Sequence, residues 1–349
     1  MNREEKRKLF QDVCAPRSGD QVLFLVDTPH DDIADTTVWQ DRREMAKEWY
    51  QLFQEMGKET GFTVNMMEYD ATGIHNRLLP QTLLDSISKS TLVLALTEYS
   101  ASSSIITVCN AQHSNTRGLS MPTVERRMEE TAFRADYLKV KQYAQALETM
   151  LTKAIGAEIQ FSTGDRLYMD LRNRRGYADD GECIQAGQTI NFPSGEGCIA
   201  PYEAVDDEKS AFGESKTEGI WPADYGGELV KYVVKHNTIT DVIGEGPKAK
   251  EMKTFFSELN TRANVAELGL GCNPQAVITG NVLEDEKVGL HIAYGMSTHL
   301  GGKIKSDMHQ DICYSKGCPV EGTTVTLYNE DGSKTDIITD AMLRYNILY

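Results

Sequence analysis

Two apolar runs set the strongest limit on how this chain can fold. Residues 21–26 read QVLFLV and residues 90–97 read STLVLALT. Each has the length of a strand and too little polar alternation to face water on one side, so each predicts a buried strand. Between them, residues 38–61 carry Met45, Trp49, Leu52, Phe53 and Met56 at helical spacing. Residues 62–69 (FTVNMMEY) are strand-like, and residues 80–89 predict a short helix with Pro80 at its start. Strand, helix, strand, helix, strand predicts a parallel sheet with helices on its faces. Neither GxGxxG nor GxxxxGK[ST] follows these strands, so no nucleotide site is expected there.

The remainder changes character. Residues 122–155 predict a long helical stretch, and the charged segment at its start (MPTVERRMEE) fits a solvated face. Short strands follow at AEIQF and RLYMDL, then a polar stretch, RNRRGYADDGECIQAGQ. Beyond it strands predominate: 228–234 and 238–243 flank a turn at His236-Asn237, and 247–260 predict a helix. Residues 323–328 and 334–339 flank Glu330-Asp331-Gly332, a hairpin signal. The fold class predicted is α/β. An N-terminal parallel-sheet α/β domain spans residues 1–175, and a strand-rich α+β metal-binding domain spans residues 186–349.

Bulk properties narrow the function. A chain of 349 residues has room for two domains or one large one. A net charge of −16 argues against nucleic acid or an anionic membrane as partner, because phosphate contact needs clustered Lys and Arg. No apolar run approaches the ~20 residues of a membrane span. The first residues, MNREEKRKLF, lack the apolar core of a secretory signal. The cysteines at 14, 109, 183, 198, 272, 313 and 318 are scattered and form no CxxC, which predicts reduced thiols in a cytoplasmic protein.

The chemistry concentrates in residues 264–311, NVAELGLGCNPQAVITGNVLEDEKVGLHIAYGMSTHLGGKIKSDMHQD. His291, His299 and His309 occur there among Glu267, Glu284, Asp285, Glu286, Asp307 and Asp311. Imidazole and carboxylate together suit a divalent metal. His309 and Asp311, two apart on an extended strand, would point the same way. Glu267 lies among apolar residues, where a carboxylate is costly unless it is paired or on a metal. Glu196 sits in the turn FPSGEGCIAP, His291 in the apolar strand VGLHIAYG, and Glu286 ends an EDE run whose first member, Glu284, is assigned to a solvated turn.

The segments FPSGE, NVAELGLG, EDEKVGLHIAYG and HQD, in this order, resemble the metal-binding region of the M29 metallo-aminopeptidases, the aminopeptidase T and S group of leucyl aminopeptidases. The resemblance covers about residues 190–314. It implies that Glu196, Glu267, Glu286, His291, His309 and Asp311 are metal ligands, with Glu267 bridging two divalent ions (Zn, Co, Mn or Mg). It further implies a bridging water, cleavage of N-terminal peptide bonds in a small peptide or other small-molecule substrate, and a homodimer. The catalytic acid or base is not assigned, because the family's tyrosine position holds Thr298.

Ring-cleaving 2,5-dihydroxypyridine dioxygenases are similar to this family in fold and hold one Fe(II) on two histidines and a carboxylate. They supply the alternative expectation: an Fe(II) dioxygenase acting on a hydroxylated aromatic or heteroaromatic ring, with His309, Asp311 and one further histidine as ligands. A non-catalytic binding protein on the same fold is the third expectation.

Overall fold

The computed structural model describes residues 1–205 and 207–349. They pack as two compact units. The first comprises Met1–Lys141, Gly181–Ser194 and Pro274–Ala276, and the second Gln142–Asp180, Gly195–Asn273 and Val277–Tyr349.

The first unit is built on a five-stranded sheet in the order Thr63–Asp70, Gln21–Thr28, Leu92–Thr97, Arg117–Pro122, Thr189–Asn191. All its pairings are parallel. The two apolar runs occupy the interior: Val22–Val26 and every residue of Leu92–Thr97 are buried. Parallel strands need crossovers, and the helices Thr37–Thr60, Gln81–Ser88 and Ser102–Cys109 provide them. The longest starts where the Thr36 hydroxyl accepts from Trp39 N, and stops at Gly61, whose φ of 94° a side chain would resist. Its buried stripe includes the five apolar residues predicted from the sequence, together with Trp39. The predicted helix at 122–155 is shorter than expected. Residues Arg126–Glu130 and Ala132–Arg134 form 3-10 turns, and the α-helix runs only over Tyr137–Lys153.

The second unit is antiparallel. Eight strands run in the order Thr238–Ile243, Glu228–Lys235, Glu218–Tyr225, Arg166–Asp170, Ala154–Phe161, Gly322–Asn329, Lys334–Thr339, Met342–Leu343. The turn at His236-Asn237 takes positive φ at both residues (49° and 64°), the geometry that matches the twist of paired strands. A five-stranded sheet runs in the order His309–Cys313, Leu290–Gly295, Val265–Gly271, Glu196–Ile199, Tyr177–Asp179. Ile159, Trp221, Tyr232 and Val325 of the larger sheet share one core with Leu268, Leu270, Ile292 and Tyr294 of the smaller. The mixed α/β class expected from the sequence is therefore the observed one. Among the described residues no helix is long and apolar enough to cross a membrane.

Candidate metal centre

Strand alternation places the candidate ligands. Along Val265–Gly271, Leu268 and Leu270 enter the core, which turns Glu267 and Gly269 to the opposite face. Along Leu290–Gly295, Leu290, Ile292 and Tyr294 enter the core, and His291 turns to the face of Glu267. Gly269 is the cross-strand partner of His291, and a Cβ there would overlap the imidazole ring. The outer strand adds His309 opposite Gly295 and Asp311 opposite Ala293. On the other side Glu196 pairs with Gly271.

Glu267 sits between two histidines. Its Oε1 lies 3.4 Å from His291 Nε2 and its Oε2 lies 3.0 Å from His309 Nε2. Asp311 Oδ1 is 3.4 Å from the same His309 nitrogen, and Glu196 Oε2 is 3.3 Å from His291 Nε2. His309 Nδ1 donates to the Met296 carbonyl at 2.7 Å, which turns Nε2 inward. His299, on the short turn Thr298–Leu300, stands edge-on to His309 with ring centroids 4.6 Å apart.

Electrostatics follow from burial and proximity. Burial opposes the charge on Glu267, but the His291 and His309 imidazoles hold its carboxyl well below the usual carboxylate range. Burial likewise opposes charge on His291, yet its hydrogen bond to Glu267 and the nearby carboxylates push it up to about 10. Glu286 is pushed up to about 8, by burial first and then by Glu196 and Asp311, against the pull of Lys287. Burial and the charge of His309 lower His299, which favours the neutral, ligating form.

The structure thus brings Glu196, Glu267, His291, His309 and Asp311 to one face. Glu286, which caps the short helix Val282–Asp285, joins them through Lys287: Lys287 Nζ lies 2.8 Å from Glu286 Oε1 and 2.9 Å from Glu196 Oε1. Glu284, read from the sequence as solvated, is fully buried, because the turn it occupies folds inward. Other participants had no clear sequence signal. Lys287 sits inside a charged run that looks like a solvated turn. Glu203 is buried and accepts from Asn264 Nδ2 at 3.1 Å, from Ser297 Oγ and from Lys303 N at 2.6 Å. It therefore ties down both ends of the loop that carries His299. Ser297 and Lys303 bracket that histidine in sequence.

These residues fit a metal. Ligand atoms of Glu267, His299 and His309 lie within 4.8 Å of one another, as do those of Glu196, Glu267 and His291. Glu196 Oε2, buried without a hydrogen bond, instead faces His291 Nε2 at 3.3 Å. The inward Nε2 of His309, with its other ring nitrogen on a backbone carbonyl, is the usual preparation of a ligating histidine.

No family model matches the chain, and no curated protein matches it by sequence. In fold the chain is similar to the solved structure of 2,5-dihydroxypyridine dioxygenase from Pseudomonas putida KT2440. The TM-score is 0.70 at 14% identity, over 99% of this chain and 98% of that one. This match corrects the leading expectation. The M29-type aminopeptidase, with its hydrolase and metalloprotease chemistry, finds no support, whereas the dioxygenase named beside it as a fold relative shares the architecture from end to end.

Proposed function

We propose that the chain is a mononuclear Fe(II) dioxygenase that opens a hydroxylated aromatic or heteroaromatic ring. The observation that carries this reading is the group of two imidazoles and one carboxylate formed by His299, His309 and Glu267. Two histidines and a carboxylate on one side of a ferrous ion leave other positions open, and this donor set recurs in non-haem iron oxygenases. The whole-length likeness to a dioxygenase of dihydroxypyridine supports the same reading.

In this proposal His299, His309 and Glu267 hold the metal, and Asp311 stands beside His309 as a further carboxylate donor. Ferrous iron bound there would supply the one-electron chemistry that dioxygen requires. The Met296 carbonyl fixes the His309 tautomer and ring plane, and Glu203 fixes the loop of His299. In the overall reaction one ring C–C bond breaks and both oxygen atoms enter the product. The four electrons come from the ring, so no external reductant is consumed.

The test is anaerobic purification, loading with Fe(II), and measurement of oxygen uptake with 2,5-dihydroxypyridine and other dihydroxylated single rings. One O2 consumed per ring opened is expected, with turnover lost in His309→Ala. An iron-loaded protein that takes up no oxygen with any of these rings would sink the proposal.

A further inference from the structure

The centre contains two groups of donors that share Glu267, and they differ in one respect. The group of Glu267, His299 and His309 has no ammonium or guanidinium ion-paired with its members among the described residues. The group of Glu196, Glu267 and His291 adjoins Lys287, whose side chain is completely buried. Lys287 Nζ lies 2.8 Å from Glu286 Oε1, 2.9 Å from Glu196 Oε1 and 3.3 Å from Asp179 Oδ2. An ammonium has three N–H bonds, and here three carboxylates receive them.

The backbone keeps the lysine in place. Lys287 N donates to the Glu284 carbonyl at 2.9 Å, and the Lys287 carbonyl accepts from Asn273 N at 3.0 Å. Gly271 lies directly behind: a Cβ on it would collide with the backbone from Glu286 to Val288. The segment therefore packs on a glycine of the central strand. With its side chain wholly buried, the ammonium has no open route to solvent.

We infer that Lys287 is a built-in cation that fills the Glu196–Glu286–Asp179 side of the centre, so that the chain holds a single divalent ion at Glu267, His299 and His309. A divalent ion in the Glu196, Glu267 and His291 group would have to displace an ammonium that has nowhere to go, or share the Glu196 carboxylate with it. Like charges at that separation repel, and a low-dielectric interior strengthens the repulsion. Lys287 thus determines metal stoichiometry rather than taking part in the reaction. The inference rests on the metal-centre reading above, but not on the identity of the substrate.

The experiment is titration of the metal-free protein with Mn(II), followed by desalting, elemental analysis and electron paramagnetic resonance. One equivalent per chain is expected in the wild type, with the spectrum of an isolated ion even when Mn(II) is in excess. Lys287→Gln removes the charge, and two equivalents are expected, with a spin-coupled spectrum. Two equivalents in the wild type would overturn the inference and leave the metal reading intact. A folded Lys287→Gln protein that still binds one equivalent would overturn it too. No bound metal in the wild type would remove both. If Lys287→Gln does not fold, the wild-type stoichiometry and spectrum decide alone.

Discussion

At the scale of single residues, Glu267 carries the most. One of its oxygens faces His291 and the other faces His309, so one substitution touches both groups of donors. Glu267→Gln removes the negative charge and replaces one carboxylate oxygen with an amide nitrogen that cannot ligate. The expected result is a loss of metal affinity larger than the ~10–100-fold typical of losing an outer partner. The far-UV circular dichroism should stay unchanged, and competition with a chelator measures the affinity. Glu267 was legible in the sequence because an acid among apolar residues needs a reason. Lys287 was not, because a lysine that follows Glu284, Asp285 and Glu286 looks like the exposed counter-charge of an acidic run until the fold buries it. His299 was noted among the three histidines of the segment but not as a ligand, since a loop has no periodicity to show where a side chain points.

At the scale of elements, the sheet faces depend on small residues as much as on ligands. Gly269 leaves the space that the His291 ring fills. Gly269→Ala should cost about 1–3 kcal/mol, as overpacking a buried site does. Urea unfolding with an unchanged m-value would register it. In the first unit, Arg117 opens one strand and Asp20 precedes another, and the two meet at 2.8 Å in a buried pair. Burial alone would raise the Asp20 carboxyl, but the Arg117 guanidinium and further hydrogen bonds leave it below its ordinary range. A depressed carboxyl contributes stability that is present above its unfolded-state value, about 3.9, and is lost as pH falls through the lower folded-state value. Asp20→Asn would leave Arg117 as an unpaired buried charge, at a cost of about 3 kcal/mol at neutral pH. The difference from wild type should shrink in acid, and denaturant curves across that pH range check it. The long strands were legible because buried parallel strands show as unbroken apolar runs. The three-residue strands Tyr177–Asp179 and Thr189–Asn191 were not, since three residues are too few to establish a period.

At the scale of the whole molecule, the charge of −16 draws cations toward an acidic centre, so the rate of metal uptake should fall as salt rises. A metal that binds the folded chain alone also stabilises it. At a hundred-fold excess over Kd the gain should be about 2.7 kcal/mol. Thermal melts with and without Mn(II) measure it, and a midpoint that does not move would count against binding to the folded state. The fold class could be inferred from the order of strands and helices, but peptide hydrolysis could not be distinguished from ring opening. The short motifs that carried the resemblance describe a set of donors, and the same donors serve more than one reaction. The position of the His309 strand has a further consequence. Among the described residues it lies at the edge of its sheet, paired on one side only, while the Glu267 strand is paired on both. Edge strands fray first. Metal should therefore leave by the peeling of one wall, and its dissociation rate should keep pace with amide hydrogen exchange at residues 309–313 rather than with exchange at the centre of the sheet.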